Sequence, residues 1–251
     1  MTDILLHGCN GRMGQMIAGL LENDAAARIV AGVAAYTGRE NPFPVFSKIE
    51  DCDVKADVVI DFSNAGAVDA LLAWCVENRT PVVLCTTGLS EEQLKKVEET
   101  AKETAVLKSA NMSVGINLLL KILKEAAPTL AAAGFDIEIV EKHHNQKVDA
   151  PSGTALALAD AINEASGGVY TYVYDRSQVR QKRDSRELGI SAVRGGTIVG
   201  DHDVIFAGTD EVVTFEHRAY SRAVFGKGAI QAAKFLAGKP AGRYDMSDVI
   251  G

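Results

Sequence analysis

Over the first half of the chain, short β-branched runs alternate with stretches of helical spacing, and that alternation restricts the fold more than any other feature. Asp3-Ile-Leu-Leu-His-Gly8 is an apolar run ending in glycine, and Gly11 to Glu22 then carries Met13, Met16, Ile17, Leu20 and Leu21 at helical intervals. Arg28 to Ala35, Ala56 to Phe62, Pro81 to Cys85 and Ala105 to Lys108 read as further strands. Ala65 to Asn78 reads as a helix, and another begins at Ser90, with Gln93 at the capping-box position. Strands separated by helices cannot pair as hairpins. They build a parallel sheet covered on both faces.

The pattern changes after Asn111. Val114 to Ala132 is a long apolar helix, bent or ended near Pro128. Phe135 to Glu141 alternates apolar and polar residues like a half-solvated strand, and Ser152 to Ala165 is an amphipathic helix. Ile190 to Val193, Thr197 to Ala207 and Val212 to Arg218 read as successive antiparallel strands, before a last helix over Ala223 to Leu236. The expected architecture is α/β: a Rossmann-type dinucleotide-binding domain (1–112 plus 221–251) and a second α+β domain of mixed or antiparallel sheet (113–220). The last helix returns to the first domain.

Composition excludes several classes. A formal charge of −7 opposes general nucleic-acid binding, so an anion site must concentrate positive charge locally. No run of 18 apolar residues occurs, and Met1 to Cys9 lacks a basic leader, so neither a membrane span nor a signal peptide is expected and the cytoplasm is the expected compartment. Cys9, Cys52, Cys75 and Cys85 show no CxxC spacing and read as small buried hydrophobes. The scattered histidines suggest no metal-ligand set.

Gly8-Cys9-Asn10-Gly11-Arg12-Met13-Gly14 lies between the first strand and the first helix. A turn there aims backbone N–H groups at an anion, and glycine lets a pyrophosphate approach. The spacing is GxxGxxG, a variant of the dinucleotide fingerprint. Val33 to Gly38, after the second strand, holds no acid to accept a ribose 2′-hydroxyl. Arg12 and Arg39 are either positioned to face a 2′-phosphate or are solvated surface charges. The sequence therefore permits NADPH, NADH or both.

Glu141-Lys-His-His-Asn-Gln-Lys147-Val-Asp-Ala-Pro-Ser152-Gly-Thr154 follows a strand and precedes a helix. Ser152 is the expected N-cap. Gly153 and Thr154 then offer first-turn N–H groups to a carboxylate, and the Lys147 ammonium lies just ahead in the loop. His143 and His144 are adjacent, so at a strand end they point to opposite faces. Histidine titrates near neutrality, as proton transfer requires.

This stretch resembles the signature of the 4-hydroxy-tetrahydrodipicolinate reductase family. So do GCNGRMG at 8–14, VVIDFS at 58–63, CTTGL at 85–89, SANMSVGIN at 109–117 and ISAVRGGTIVGDHDVIF at 190–206. The resemblance covers almost the whole chain. It implies NAD(P)H-dependent reduction of a cyclic imine dicarboxylate in lysine and diaminopimelate biosynthesis, by a homotetramer formed through the second domain's sheet. It implies His143 as proton donor, and Lys147, His144, Ser152, Gly153 and Thr154 as ligands of the dicarboxylate. Gly8 to Met13, Cys85, Thr86, Thr87, Ala110, Asn111 and Met112 would line the cofactor. Two departures stand out. Cys85 replaces the first glycine of the family's GTTG turn, and the acid found after the second strand in some members is missing.

The competing readings are a related amino-acid dehydrogenase (of aspartate or diaminopimelate) and a nucleotide-sensing protein without turnover. The first explains the glycine turn but not the His-His-x-x-Lys cluster; intact His143 and Lys147 oppose the second. Asp175 to Glu187 carries five basic residues and reads as a solvated loop or a substrate lid. His202 and His217 lie on strand patterns and read as structural.

Overall fold

The computed structural model describes residues 1–36 and 38–251. Thr37, part of the acid-free segment after the second predicted strand, lies outside the described residues. The chain forms two compact units, Met1–Ser113 with Ala223–Gly251, and Val114–Arg222.

The first unit opens β1 (Thr2–His7), α1 (Arg12–Leu21), β2 (Ala27–Val33), β3 (Val45–Phe46) and β4 (Val58–Asp61). It continues through α2 (Ala65–Glu77), β5 (Val82–Leu84), α3 (Glu91–Glu103) and β6 (Ala105–Leu107). β-Branched residues with both faces buried make these strands fit a sheet covered on each side. Ser90 caps α3 through the expected box with Gln93.

The second unit comprises α4 (Val114–Ala132), β7 (Asp136–His143), α5 (Gly153–Ala165), β8 (Thr171–Val173), β9 (Glu187–Arg194), β10 (Gly200–Ala207) and β11 (Val212–Ala219). The chain then returns to the first unit through α6 (Ala223–Leu236), β12 (Gly242–Tyr244) and α7 (Met246–Ile250). The first unit's sheet has the order β12-β6-β5-β4-β1-β2-β3, and every pair in it is parallel. The order reverses at β1, which creates the crevice at the strands' carboxyl ends where such sheets bind ligands. α6 packs on α1: a side chain at Gly226 would press on Leu20 and Ile17.

The second sheet runs β11-β10-β7-β9-β8. β10 is antiparallel to both β11 and β7, as alternation suggested, but β9 is parallel to β7 and to β8. The three successive strands β9, β10 and β11 thus alternate in direction as expected, but β9 does not pair with β10: β7 lies between them. β9 reaches its place by a crossover through α5, not by a hairpin. α4 continues through Pro128 to Ala132 without ending there. α4 and α5 cover one face of this sheet, burying Leu123, Ile137, Ile139, Leu158, Val204 and Phe206. The loop after β8 is tied to the sheet. Arg183 donates to Asp136 (2.6 Å) and Glu138 (3.0 Å), and Arg176 pairs with Glu187 and Glu138. Glu138 reaches them by lying over Gly189, where a Cβ would sit 1.7 Å from its carboxylate.

Candidate functional site

The glycine turn forms the wall of a cavity of about 570 Å³ at the carboxyl ends of β1, β2 and β4. Each glycine has its own reason. Gly8 has φ +84°, and a Cβ there would lie 2.5 Å from the Phe62 carbonyl. Gly14 lets α1 pack on the turn, since its Cβ would lie 2.3 Å from the Gly8 carbonyl. Gly11 faces the cavity, and its Cβ would fill space next to the turn. This is a cradle cut for close approach of an anion, and it fits a dinucleotide.

Asn10 also lines the cavity. Its amide donates to the Tyr36 carbonyl (2.6 Å) and accepts from Asn41 (2.9 Å), which fixes the turn against the segment after β2. Cys9 is fully buried and turned inward over Gly32. Arg12 is exposed at the start of α1, and neither it nor Arg39 lines the cavity. Met13 is half-buried. Cys85, Thr86 and Thr87 follow β5, and Ala110, Asn111 and Met112 follow β6, at the same carboxyl edge but beyond that cavity. Composition gave no signal for a buried network beneath this edge. The Asp61 carboxylate bonds His7 Nδ1 (2.8 Å) and accepts from Thr86 Oγ1 (2.6 Å) and the Ser63 amide (3.1 Å).

In the second unit, β7 ends in His143 and α5 starts at Gly153, and Glu141 joins the two. Its carboxylate is fully buried. It accepts from Arg194 at 2.7 and 2.8 Å, from the Ser152 amide at 2.9 Å, and faces His143 Nδ1 at 2.6 Å. Burial pushes the Glu141 carboxyl up, but the bonds from Arg194, His143 and Ser152 outweigh it and hold the pKa below the ordinary range. An ionised Glu141 can only accept, so the His143 proton sits on Nδ1 and Nε2 is left for chemistry. Burial lowers the His143 pKa, partly opposed by Glu141.

Ser152 caps α5 as expected, accepting from the Ala155 amide at 3.1 Å. The same hydroxyl shares a hydrogen bond with His202 Nε2, 3.0 Å away. His202, expected to be structural only, belongs to this cluster. Even-numbered β10 residues face the helices, and its ring meets that of His143 edge-on at 5.2 Å. Burial pushes the His202 pKa down to about 4, so its ring is neutral. Its Nδ1 is buried with no hydrogen-bond partner among the described residues. Arg194 and His202 lie some 50 residues from Glu141 and Ser152, and only the β7–β9 and β7–β10 pairings bring them together.

Lys147 bonds Asp149 at 2.8 Å in the loop between β7 and α5. His144, just past the end of β7, is half-buried. Thr154 has an interaction of its own within the protein, whereas a Cβ on Gly153 would meet nothing within 4 Å. Gly153 is thus the open position at the start of α5.

A parallel sheet with a glycine cradle at its switch point, in one chain with a unit bearing a carboxylate-anchored histidine, defines a nicotinamide-dependent oxidoreductase. Comparison with known proteins narrows the class. Residues 2–112 match the family model "Dihydrodipicolinate reductase, N-terminus", and residues 115–250 match "Dihydrodipicolinate reductase, C-terminus". The chain belongs to the 4-hydroxy-tetrahydrodipicolinate reductase (dihydrodipicolinate reductase) family. It is 53% identical over 250 residues to the 4-hydroxy-tetrahydrodipicolinate reductase of Caldanaerobacter subterraneus subsp. tengcongensis, covering 100% of this chain and 98% of the relative. It is 49% identical to that of Clostridium novyi, with the same coverage. Among solved structures, dipicolinate-bound dihydrodipicolinate reductase from Paenisporosarcina sp. TG-14 matches with a TM-score of 0.79 at 25% identity, covering 98% of this chain and 97% of that one. No helix among the described residues is long and apolar enough to cross a membrane.

Proposed function

We propose that this chain reduces the cyclic imine dicarboxylate formed from 4-hydroxy-tetrahydrodipicolinate, with His143 as general acid and the β7–α5 loop as the carboxylate clamp. One observation carries the reading: His143 Nδ1 is anchored by buried Glu141, with Nε2 left free of that bond, on the strand that leads to the open helix start at Gly153. Bound NAD(P)H supplies the hydride. The glycine turn, Asn10 and the residues following β5 and β6 would hold it. His143 delivers the proton from Nε2 to the reduced ring, and Glu141 stabilises the imidazolium from the other side. Lys147 exchanges Asp149 for a substrate carboxylate, and the Gly153 amide binds the same group at the start of α5. His144 and the capped Ser152 turn complete that pocket.

The face of the second sheet away from α4 and α5 carries Val193 and Val212, 45% and 62% exposed. We read it as the self-association surface of a homotetramer, and the cytoplasm as the site of action. The test of function is NADPH absorbance followed with freshly prepared precursor. Oxidation that requires the dicarboxylate, and is absent when a 2-oxo acid such as oxaloacetate is supplied with ammonia (the direction in which an amino-acid dehydrogenase consumes NADPH), supports the reading; no oxidation with the dicarboxylate refutes it.

Gly153→Val tests the clamp separately. The backbone there is not left-handed and the added atoms meet no protein, so the fold should persist. Blocking one charge-assisted bond should raise the KM for the dicarboxylate by roughly 10- to 100-fold. The Kd for NADPH, read by fluorescence titration, should stay unchanged. Equal loss of both affinities would mean a folding defect, and an unchanged KM would remove Gly153 from the site.

A further inference from the structure

In dinucleotide sheets the residue after the second strand reads the adenosine ribose: an acid accepts its 2′-hydroxyl, or a nearby arginine meets a 2′-phosphate. Here the residues after β2 are Ala34, Ala35 and Tyr36, none of them charged. β3 makes up the deficit. It lies parallel to β2, with Gly32 opposite Val45 and Val33 opposite Phe46, and the Ala34 amide donates to the Phe46 carbonyl at 3.0 Å. Ser47 and Lys48 therefore leave the sheet beside Ala34 and Ala35. Both pairs line the cavity that holds the glycine turn.

Two opposite charges face this cavity, Lys48 and Glu50. Lys48 has extended backbone (φ −134°, ψ 151°) and precedes the short turn Ile49–Asp51. Buried Ile49 anchors that turn in the core, so the lysine backbone is fixed while its side chain is exposed. Several other lysines are already engaged: Lys142 with Asp203, Lys147 with Asp149, Lys234 with Asp24. Lys48 makes no ion pair among the described residues. The cavity wall is prebuilt, because Asn10 and Asn41 tie the glycine turn to the segment after β2.

We propose that Lys48 reads the 2′-phosphate of NADPH, replacing in space the residue that β2 does not supply, and that Glu50 restrains the resulting preference. The proposal rests on the nicotinamide-dependent reading above and names its specificity determinant. Arg12 and Arg39, left open as alternatives by the sequence, do not line the cavity and have no part in it.

Calorimetric titration of the purified protein with NADPH and NADH, without substrate, tests this. Lys48→Ala should weaken NADPH by about tenfold, the scale of one charge-assisted contact, and change NADH less than twofold. Lys48→Arg should retain most of the NADPH affinity. Glu50→Gln should tighten NADPH and not NADH. The wild-type advantage of NADPH should shrink as salt rises. Equal losses for both nucleotides upon Lys48→Ala, no loss for either, or a selective loss upon Arg39→Ala would each overturn the assignment while leaving the enzyme class intact. Failure of the wild-type protein to bind either nucleotide would overturn the class and the assignment together.

Discussion

Replacing His143 with glutamine should lower kcat by roughly 10²–10⁴-fold, the usual contribution of a general acid. The KM should move only a few-fold, because a proton donor acts mainly in the transition state. The expectation rests on geometry. Nδ1 is committed to Glu141 at 2.6 Å, so only Nε2 can deliver a proton. The pH profile follows from the pKa. Burial lowers it below the ordinary 6.5, so the ring in the empty protein is mostly neutral at pH 7. A general acid works in its protonated form. kcat/KM should therefore be highest below the lowered pKa and fall as pH rises through it. A bound dicarboxylate favours the imidazolium, so the corresponding limb of kcat should lie at higher pH. Steady-state kinetics over about pH 5 to 8 read both limbs. If His143→Gln turned over near the wild-type rate, the proton would have to come from His144 or from water.

Glu141→Ala should destabilise the second unit by about 3–5 kcal/mol, the cost of breaking a buried ion pair from one side. One substitution strips the acceptor from Arg194, His143 and the Ser152 amide together. The Arg194 side chain is a fifth exposed, so water meets part of its charge and the lower end of that range applies. In a chain of this size the loss corresponds to a fall in Tm of about 10 °C. Stability alone would not make Glu141 a positioning residue. Glu141→Gln keeps the shape and removes the charge that favours protonated His143. It should shift the kcat/KM limb to lower pH, which a purely structural role would not do. A wild-type melt for Glu141→Ala, or an unmoved limb for Glu141→Gln, would refute the respective half.

The strands that carry the cofactor cradle were legible because Ile4-Leu5-Leu6 and Val58-Val59-Ile60 are buried on both faces and keep their character without context. The missed elements are short. β3 has two residues, and β8 and β12 three each, too few for any period to show. The pairing of β9 departs from expectation because nearness in sequence favours a β9–β10 hairpin, whereas β7 lies between those two strands in the sheet. The site divides in the same way. His143, Lys147, Ser152 and Gly153 come from one continuous stretch whose caps and charges act locally. Arg194, His202 and Lys48 owe their places to strand pairing alone. His202 could be told from a core histidine only once β10 lay beside β7.

The return of the chain through α6 and β12 sets an order of events during synthesis. Residues 114–222 are contiguous and hold their own core, so they can collapse as soon as they leave the ribosome. The amino-terminal strands emerge earlier, yet they must wait. The helix that covers α1, and the strand that protects the exposed edge of β6, are translated only after the whole inserted unit. Until then β6 is an open strand edge, available to the wrong partner. The part of the chain made first is thus finished last, and the nascent protein should depend on chaperones most during that interval.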